Sequence, residues 1–289
     1  MKFIFNDYLK FVKFSHTIFA LPFALIGFFL AVHTTDHHFE LKLLILVILC
    51  MVFARNAAMA FNRYTDRKFD KKNPRTSARQ IPAGVISEKS ALYFVVINAV
   101  LFILTTWFIN QLCFFLSPIA LLVVLGYSYT KRFTTLCHFV LGTGLGLAPL
   151  GAYIAVTGSF AVIPVLISFI VFFWVSGFDI IYALQDTDFD KKNQLKSIPS
   201  KLGKKRSLHV SLLLHFIVGV LVLLMGFLSG FDMIYWIGAI IFILLLFYQH
   251  LIISPKDLRR ITLAFFTTNG IASIVFAIFT IVSMYSNNS

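Results

Sequence analysis

The chain has 289 residues, 59% of them hydrophobic and only 13% charged, with a formal net charge of +13. Soluble domains are about 45–50% apolar, so this composition excludes an ordinary water-soluble fold and predicts an integral membrane protein. A basic excess of this size points to nucleic acid only in a soluble chain; here Lys and Arg follow topology, and no nucleic-acid partner is expected.

Lys2, Lys10 and Lys13 lead into an apolar run of membrane-crossing length with no A-x-A cleavage pattern, so the N-terminus is expected to be retained. Apolar stretches long enough to cross the hydrocarbon fall at about 15–33, 41–62, 90–110, 113–129, 136–157, 162–182, 207–229, 232–253 and 262–285. They predict an all-α polytopic membrane protein with about nine transmembrane helices in one bundle. Pro22, Pro118, Gly142, Gly144, Gly146 and Pro149 lie inside these runs, where neighbouring helices can satisfy the backbone groups they free. Cys50, Cys113 and Cys137 lack ligand spacing and are expected to be packing residues. His16, beside Ser15 and Thr17, reads as a hydrogen-bonded structural residue.

The basic residues alternate between faces. The N-terminal segment and the loops 63–89, 130–135, 187–206 and 254–261 hold 23 of the 25 Lys and Arg, whereas 33–40, 110–112, 158–161 and 229–232 hold none. By the positive-inside rule the N-terminus and the basic loops face the cytoplasm.

Two of these loops carry near-copies of one octapeptide, Asp66-Arg67-Lys68-Phe69-Asp70-Lys71-Lys72-Asn73 and Asp186-Thr187-Asp188-Phe189-Asp190-Lys191-Lys192-Asn193, alike at six of eight positions. Five of the 12 acidic residues lie in them. They come after the second and sixth spans, so the chain leaves the membrane in the same direction at both. This predicts one transmembrane domain over 1–289 with parallel pseudo-repeat halves, about 1–130 and 131–253, and an extra helix at 262–285.

On a helix, Asn62, Asp66 and Asp70 share one face, and Asp179, Tyr182, Asp186 and Asp190 share another, with Asp188 pointing away. Two such faces meeting across a bundle would form a cup of five carboxylates and an amide. Oxygen ligands of this hardness suit Mg²⁺, with water and phosphate completing the shell. Asp179 lies inside the sixth apolar run, where an ionisable group is costly and functional by default. Solvation of helix ends explains one such peptide well and two at matching places poorly.

Lys68, Lys71, Lys72, Arg75 and Arg79 come after the first motif, Lys191, Lys192, Lys196 and Lys201 after the second, and Lys131-Arg132 lies between. Topology alone accounts for any single Lys. Arg75, Arg79 and Arg132 are stronger candidates, because a guanidinium forks onto phosphate or carboxylate oxygens. Arg55 and Asn56 lie about two turns before Asn62. Arg55 either pairs with an acid or holds an anionic group of a substrate. The remaining wealth of aromatics, 34 Phe among them, suits a cavity for a hydrocarbon chain whose walls stabilise a cation.

Four segments occur in one order: Arg55, seven residues before Asn62; Asn62-Arg63-Tyr64-Thr65-Asp66-Arg67-Lys68-Phe69-Asp70, followed by Arg75-Thr76, Arg79 and Pro82; Tyr127, Lys131, Arg132 and Thr134; and Asp179, Tyr182, Ala183, Asp186 and Asp190, followed by Lys196-Ser197. In these the chain resembles the UbiA superfamily of intramembrane aromatic prenyltransferases, with its NDxxDxxxD, YxxxKRxT and DxxYAxxDxxxD motifs, and within it the 4-hydroxybenzoate polyprenyltransferase branch. The likeness runs from about residue 10 to the end. One departure is Arg63, where the family usually has Asp.

The resemblance implies Mg²⁺-dependent transfer of a polyprenyl group from polyprenyl diphosphate to an aromatic quinone precursor. It implies 4-hydroxybenzoate first, on the route to ubiquinone, in a bacterial cell membrane with the active site on the cytoplasmic side. The implied metal ligands are Asn62, Asp66, Asp70, Asp186 and Asp190. The implied substrate-binding residues are Arg55, Asn56, Arg75, Arg79, Lys131, Arg132 and Lys196. Asp186, Arg132, Asp179 and Tyr182 are the implied catalytic residues, Asp186 being the first choice to activate the acceptor's phenol. Arg63 and the His16 to Pro22 stretch leave room for a menaquinone-pathway precursor, including a futalosine-type one. The rivals are a secondary transporter, whose sites sit near the midplane on inverted repeats, and a non-catalytic lipid-binding protein. Release of diphosphate separates both from an enzyme.

Overall fold

The computed structural model describes residues 2–13 and 19–286, and the His16 expectation lies outside them. Every regular element is helical: α1 Lys2–Phe11, α2 Leu21–Thr34, α3 Leu41–Lys72, α4 Glu88–Trp107, α5 Gln111–Thr130, α6 Cys137–Thr157, α7 Val162–Ala183, α8 Thr187–Lys192, α9 Ile198–Ser229, α10 Met233–Ile252 and α11 Asn269–Ser286. Among the described residues eight helices are long and apolar enough to cross a membrane, and Leu21–Thr34 is a shorter apolar one. α2 opens with Pro22 in its first turn, the helix position that tolerates proline best. α3 runs beyond its expected end, carrying the apolar stretch and the first acidic motif in one helix.

Large apolar side chains such as Leu122, Val162, Phe227 and Leu251 are exposed along these helices, as a lipid-facing surface requires. The chain divides into two compact units. One holds the described residues up to Lys13 with Lys42–Tyr129, the other those from Phe19 to Leu41 with Thr130 onward.

In the first unit, Phe11 and Val12 pack with Ala60, Ile81, Ala91 and Val95, and Phe94 stacks on Tyr8 at 5.0 Å. Ser87 caps α4 by accepting the Ser90 N–H at 3.0 Å.

In the second unit, α7 is the centre, packed against α6 and α9, while α2 lies on α6 and α10 pairs with α11. Close approach depends on small residues. A Cβ on Gly27 would strike the Pro149 backbone of α6, and one on Gly142 the Phe172 carbonyl of α7, so glycine is what lets these helix pairs touch. Asp232 caps α10 through the Ile234 and Tyr235 N–H groups and also accepts the Ser283 and Ser286 hydroxyls, tying the start of α10 to the end of α11.

Candidate active site

The first octapeptide closes α3. The helix is continuous through it, so Asn62 and Asp66 stand one turn apart and Asn62 Nδ2 donates to Asp66 Oδ2 at 3.3 Å. Asp70, in the last turn, is 6% exposed, and Arg79 Nη1 lies 2.8 and 2.9 Å from its two oxygens. The chain folds back to allow this. Thr76 Oγ1 donates to the Asp70 carbonyl at 3.2 Å, and the Arg79 N–H donates to the Thr76 carbonyl at 3.0 Å. Arg75 is exposed, its N–H held by Asn73 Oδ1.

Among the described residues Arg55 meets backbone carbonyls rather than an acid. Its Nη1 and Nη2 donate to the Val12 and Lys13 carbonyls at 3.1 and 2.8 Å. The backbone groups left open after α1 take up the fork, and Lys13 is held there in the left-handed region at φ 45°, rare for a residue other than glycine. Asn56, next along the helix, has a buried Oδ1 with no hydrogen-bond partner among the described residues. Burial, followed by the charges of Arg63, Arg79, Arg75 and Arg55, holds the Lys13 ammonium down to about 8. This basic neighbourhood beside Asp66 and Asp70 favours a multiply charged anion. Sequence reading passed over Lys13, because its charge was absorbed into the positive-inside pattern. Buried Arg63 belongs to the same neighbourhood.

The second octapeptide is not one helix with α7. The α-helix ends at Ala183, a 3₁₀ turn spans Leu184–Asp186, and α8 comes next. Gln185 Nε2 and Thr187 Oγ1 donate back to the Tyr182 and Leu184 carbonyls at 3.2 and 2.8 Å, the local competition that tightens a helix end. The expectation of a single α-helical face from Asp179 to Asp190 is thereby corrected, since a turn of three residues rather than 3.6 rotates α8 relative to α7. Asp186 and Asp190 are buried, and Asp188 is exposed as expected.

Asp190 is fully buried, with Lys131 Nζ 2.9 Å from Oδ1 and the Ser197 hydroxyl donating to Oδ2 at 3.0 Å. Burial works against the Lys131 ammonium. The Asp190 carboxylate, with Asp186 beyond it, outweighs that and holds it above the usual lysine range. Lys196 is exposed and serves the loop: its N–H donates to the Lys131 carbonyl at 2.7 Å and its Nζ to the Phe133 carbonyl at 3.2 Å. Arg132 is half-buried beside Lys131.

Asp179 has a partner that sequence reading missed. His138, 2% exposed at the start of α6, places Nδ1 2.7 Å from Asp179 Oδ2. Its Nε2 accepts the Ile198 N–H at 3.4 Å, so the ring proton sits on Nδ1 and is donated to the carboxylate. The signal was present, an ionisable residue opening an apolar run four residues after Thr134. Tyr182 lies one turn further along α7, its ring 4.2 Å from that of Phe265.

Among the described residues no three His, Cys, Asp or Glu side chains gather as a metal cluster. In each motif the acids offer oxygen only, the donor type of a hard ion, and Asp70 and Asp190 are each paired with a cation.

The model of the UbiA prenyltransferase family matches residues 20–271. The chain belongs to that family. It is 32% identical over 237 residues to the 4-hydroxybenzoate octaprenyltransferase of Tolumonas auensis, covering 81% of this chain and 82% of that one. The Cronobacter sakazakii protein of the same name is 33% identical over 224 residues, 77% of this chain and 76% of its own. Among solved structures, the apo UbiA homologue of Aeropyrum pernix K1 superposes with a TM-score of 0.80 at 28% identity, covering 95% and 98% of the two chains. A UbiA homologue of Archaeoglobus fulgidus bound to DMAPP and Mg²⁺ has the same fold, with a TM-score of 0.75 at 22% identity and coverage of 96% and 99%. This membrane protein is thus a UbiA-family prenyltransferase.

Proposed function

We propose that this prenyltransferase moves a polyprenyl group from polyprenyl diphosphate onto an aromatic quinone precursor, 4-hydroxybenzoate being the first candidate. The observation carrying this reading is the repeated one: each octapeptide ends a helix with a buried aspartate, Asp70 or Asp190, gripped by a cation at 2.8–2.9 Å. The names of the relatives at about one-third identity support the acceptor. Arg63, in place of an acid, leaves room for a second acceptor from the menaquinone pathway, including a futalosine-type one.

Asn62, Asp66, Asp70, Asp186 and Asp190 would hold magnesium. When bound, the metal supplies charge neutralisation of the leaving diphosphate. Arg75, Arg79, Arg132 and Lys131 bind the remaining phosphate oxygens, the last giving up its contact with Asp190. Arg55 braces the Lys13 turn, which adds a cation for substrate. Asp179, oriented by the His138 N–H, accepts the acceptor's proton, a role that this hydrogen bond favours over Asp186. Lys196 acts through the loop it pins. The excess of basic loops supports a cytoplasmic N-terminus and site.

The test offers membranes carrying the full chain a panel of aromatic acids with labelled geranyl diphosphate and Mg²⁺. Prenylated 4-hydroxybenzoate is expected. Prenylation of a futalosine-type precursor alone selects the second acceptor, and no metal-dependent diphosphate release with any acceptor sinks the reading.

A further inference from the structure

Between α10 and α11 the chain makes a π-helix over Leu263–Thr268, a wide turn that is rare and is found mostly at functional sites. One side chain braces it. Asn269 is fully buried, and its Nδ2 donates to the Ala264 and Phe265 carbonyls, both at 3.0 Å, the first five residues back along the chain. The same amide joins two other helices. Asn269 Oδ1 accepts Trp174 Nε1 of α7 and Gln249 Nε2 of α10, each at 2.8 Å, and Gln249 Oε1 receives Nδ2 at 3.2 Å. Trp174 and Gln249 are also fully buried. Buried polar networks satisfied this completely fix one arrangement of the elements they join.

The wide turn presents Phe265. Its ring lies 4.2 Å from Tyr182, tilted by 31°, and 5.3 Å edge-on from Phe178. Tyr182 stands on α7 three residues after Asp179, one turn along the same helix. On the prenyl-transfer reading Asp179 is the proton acceptor, so this turn of α7 borders the place where prenyl C1 would part from diphosphate.

Resting on the prenyl-transfer reading, we propose that Asn269 is a positioning residue. Through the π-turn it ties to Trp174 and Gln249, it sets Phe265 behind Tyr182 as an aromatic wall that stabilises the allylic cation and keeps water from it. The allylic C–O bond breaks with both electrons leaving on diphosphate. The cationic carbon then bonds to the acceptor ring, which loses its proton to a carboxylate. Water reaching the same carbon would give prenyl alcohol and a proton instead. Aromatic faces stabilise a desolvated cation and occupy the space that water would need, so they favour the first fate over the second.

The experiment measures the ratio of prenyl alcohol to prenylated acceptor for the full chain in lipid, with labelled geranyl diphosphate and the acceptor found above. Asn269→Leu is expected to raise the ratio about fivefold and lower kcat about tenfold, with the KM for the donor changed less than about twofold. Phe265→Leu should do the same, Phe265→Tyr should stay near wild type, and the double variant should be no worse than Phe265→Leu. A purely structural role lowers the amount of folded protein and leaves the ratio alone. An unchanged ratio for Asn269→Leu, or multiplying effects in the double variant, overturns the proposal while wild-type turnover leaves the functional reading standing. If Asn269→Leu does not accumulate, Trp174→Phe, which removes the indole N–H, must raise the ratio about twofold, and no rise overturns the proposal. A wild type that turns over no acceptor sinks both.

Discussion

Arg79 Nη1 bridges the two carboxylate oxygens of Asp70 at 2.8 and 2.9 Å, nine residues downstream of it. Lys131 pairs with Asp190 through one oxygen, Oδ1 at 2.9 Å, although it precedes that acid in the chain. Two copies of one octapeptide thus solve one electrostatic problem with different residues. A buried carboxylate needs a counter-charge.

Asp70→Asn and Asp190→Asn are expected to leave membrane insertion intact and to cut turnover by at least about a hundredfold, since metal ligands are hard to replace. Steady-state rates with labelled donor, beside the amount of folded protein, check this. Near-normal turnover in both variants would remove the metal assignment.

Lys131→Met leaves Asp190 buried without its cation. Thermal unfolding in detergent should fall without metal and recover more on adding Mg²⁺ than it does for wild type, because the ion no longer competes with an ammonium. Equal recovery would mean that Asp190 does not meet the metal.

The Lys13 ammonium, brought down from 10.5 to about 8, predicts a pH dependence. The folded chain binds this proton less tightly than the unfolded one, so its cost is full below about pH 8 and fades as pH rises toward 10.5. A bound polyanion favours the charged form, so Mg-diphosphate affinity should weaken as pH rises through about 8. Titration calorimetry from neutral to alkaline pH reads the limb. Lys13→Met should abolish it, and Arg63→Asp should move it upward by removing the strongest of the repelling charges.

His138→Leu should lower kcat about tenfold or more while leaving the KM for the donor near wild type, because Asp179 loses the N–H that orients it. Asp179→Asn should cost more, about a hundredfold or beyond. A His138 variant with full activity would return the proton-accepting role to Asp186.

Asp232→Ala removes an N-cap that also joins α10 to α11. It should cost about 1 kcal/mol in stability and leave turnover unchanged at low temperature. Burial alone would raise this carboxyl. The Ser283 and Ser286 hydroxyls and the Tyr235 and Ile234 N–H groups outweigh that and hold it below the usual carboxylate range. Its contribution is therefore present at neutral pH and is lost as pH falls through the lowered value, which acid-dependent thermal unfolding of the variant and wild type would show.

The sequence by itself determined the helical membrane character, because twenty apolar residues in a row leave the backbone no other way to satisfy its hydrogen bonds. It also exposed the two acidic motifs, since like residues at like spacing survive as a pattern whatever the fold does around them. Local physics already blurred that reading at the second motif, where the side chains of Gln185 and Thr187 turn an expected α-helix into a 3₁₀ turn. Tertiary structure alone decided the partners. Arg55 meets carbonyls 42 and 43 residues earlier in the chain, and Asp179 meets a histidine 41 residues away. Asn269 reaches an indole at a separation of 95. Such contacts depend on which helices pack and at what depth, and both are set by the summed fit of many apolar surfaces, which no single stretch of sequence records.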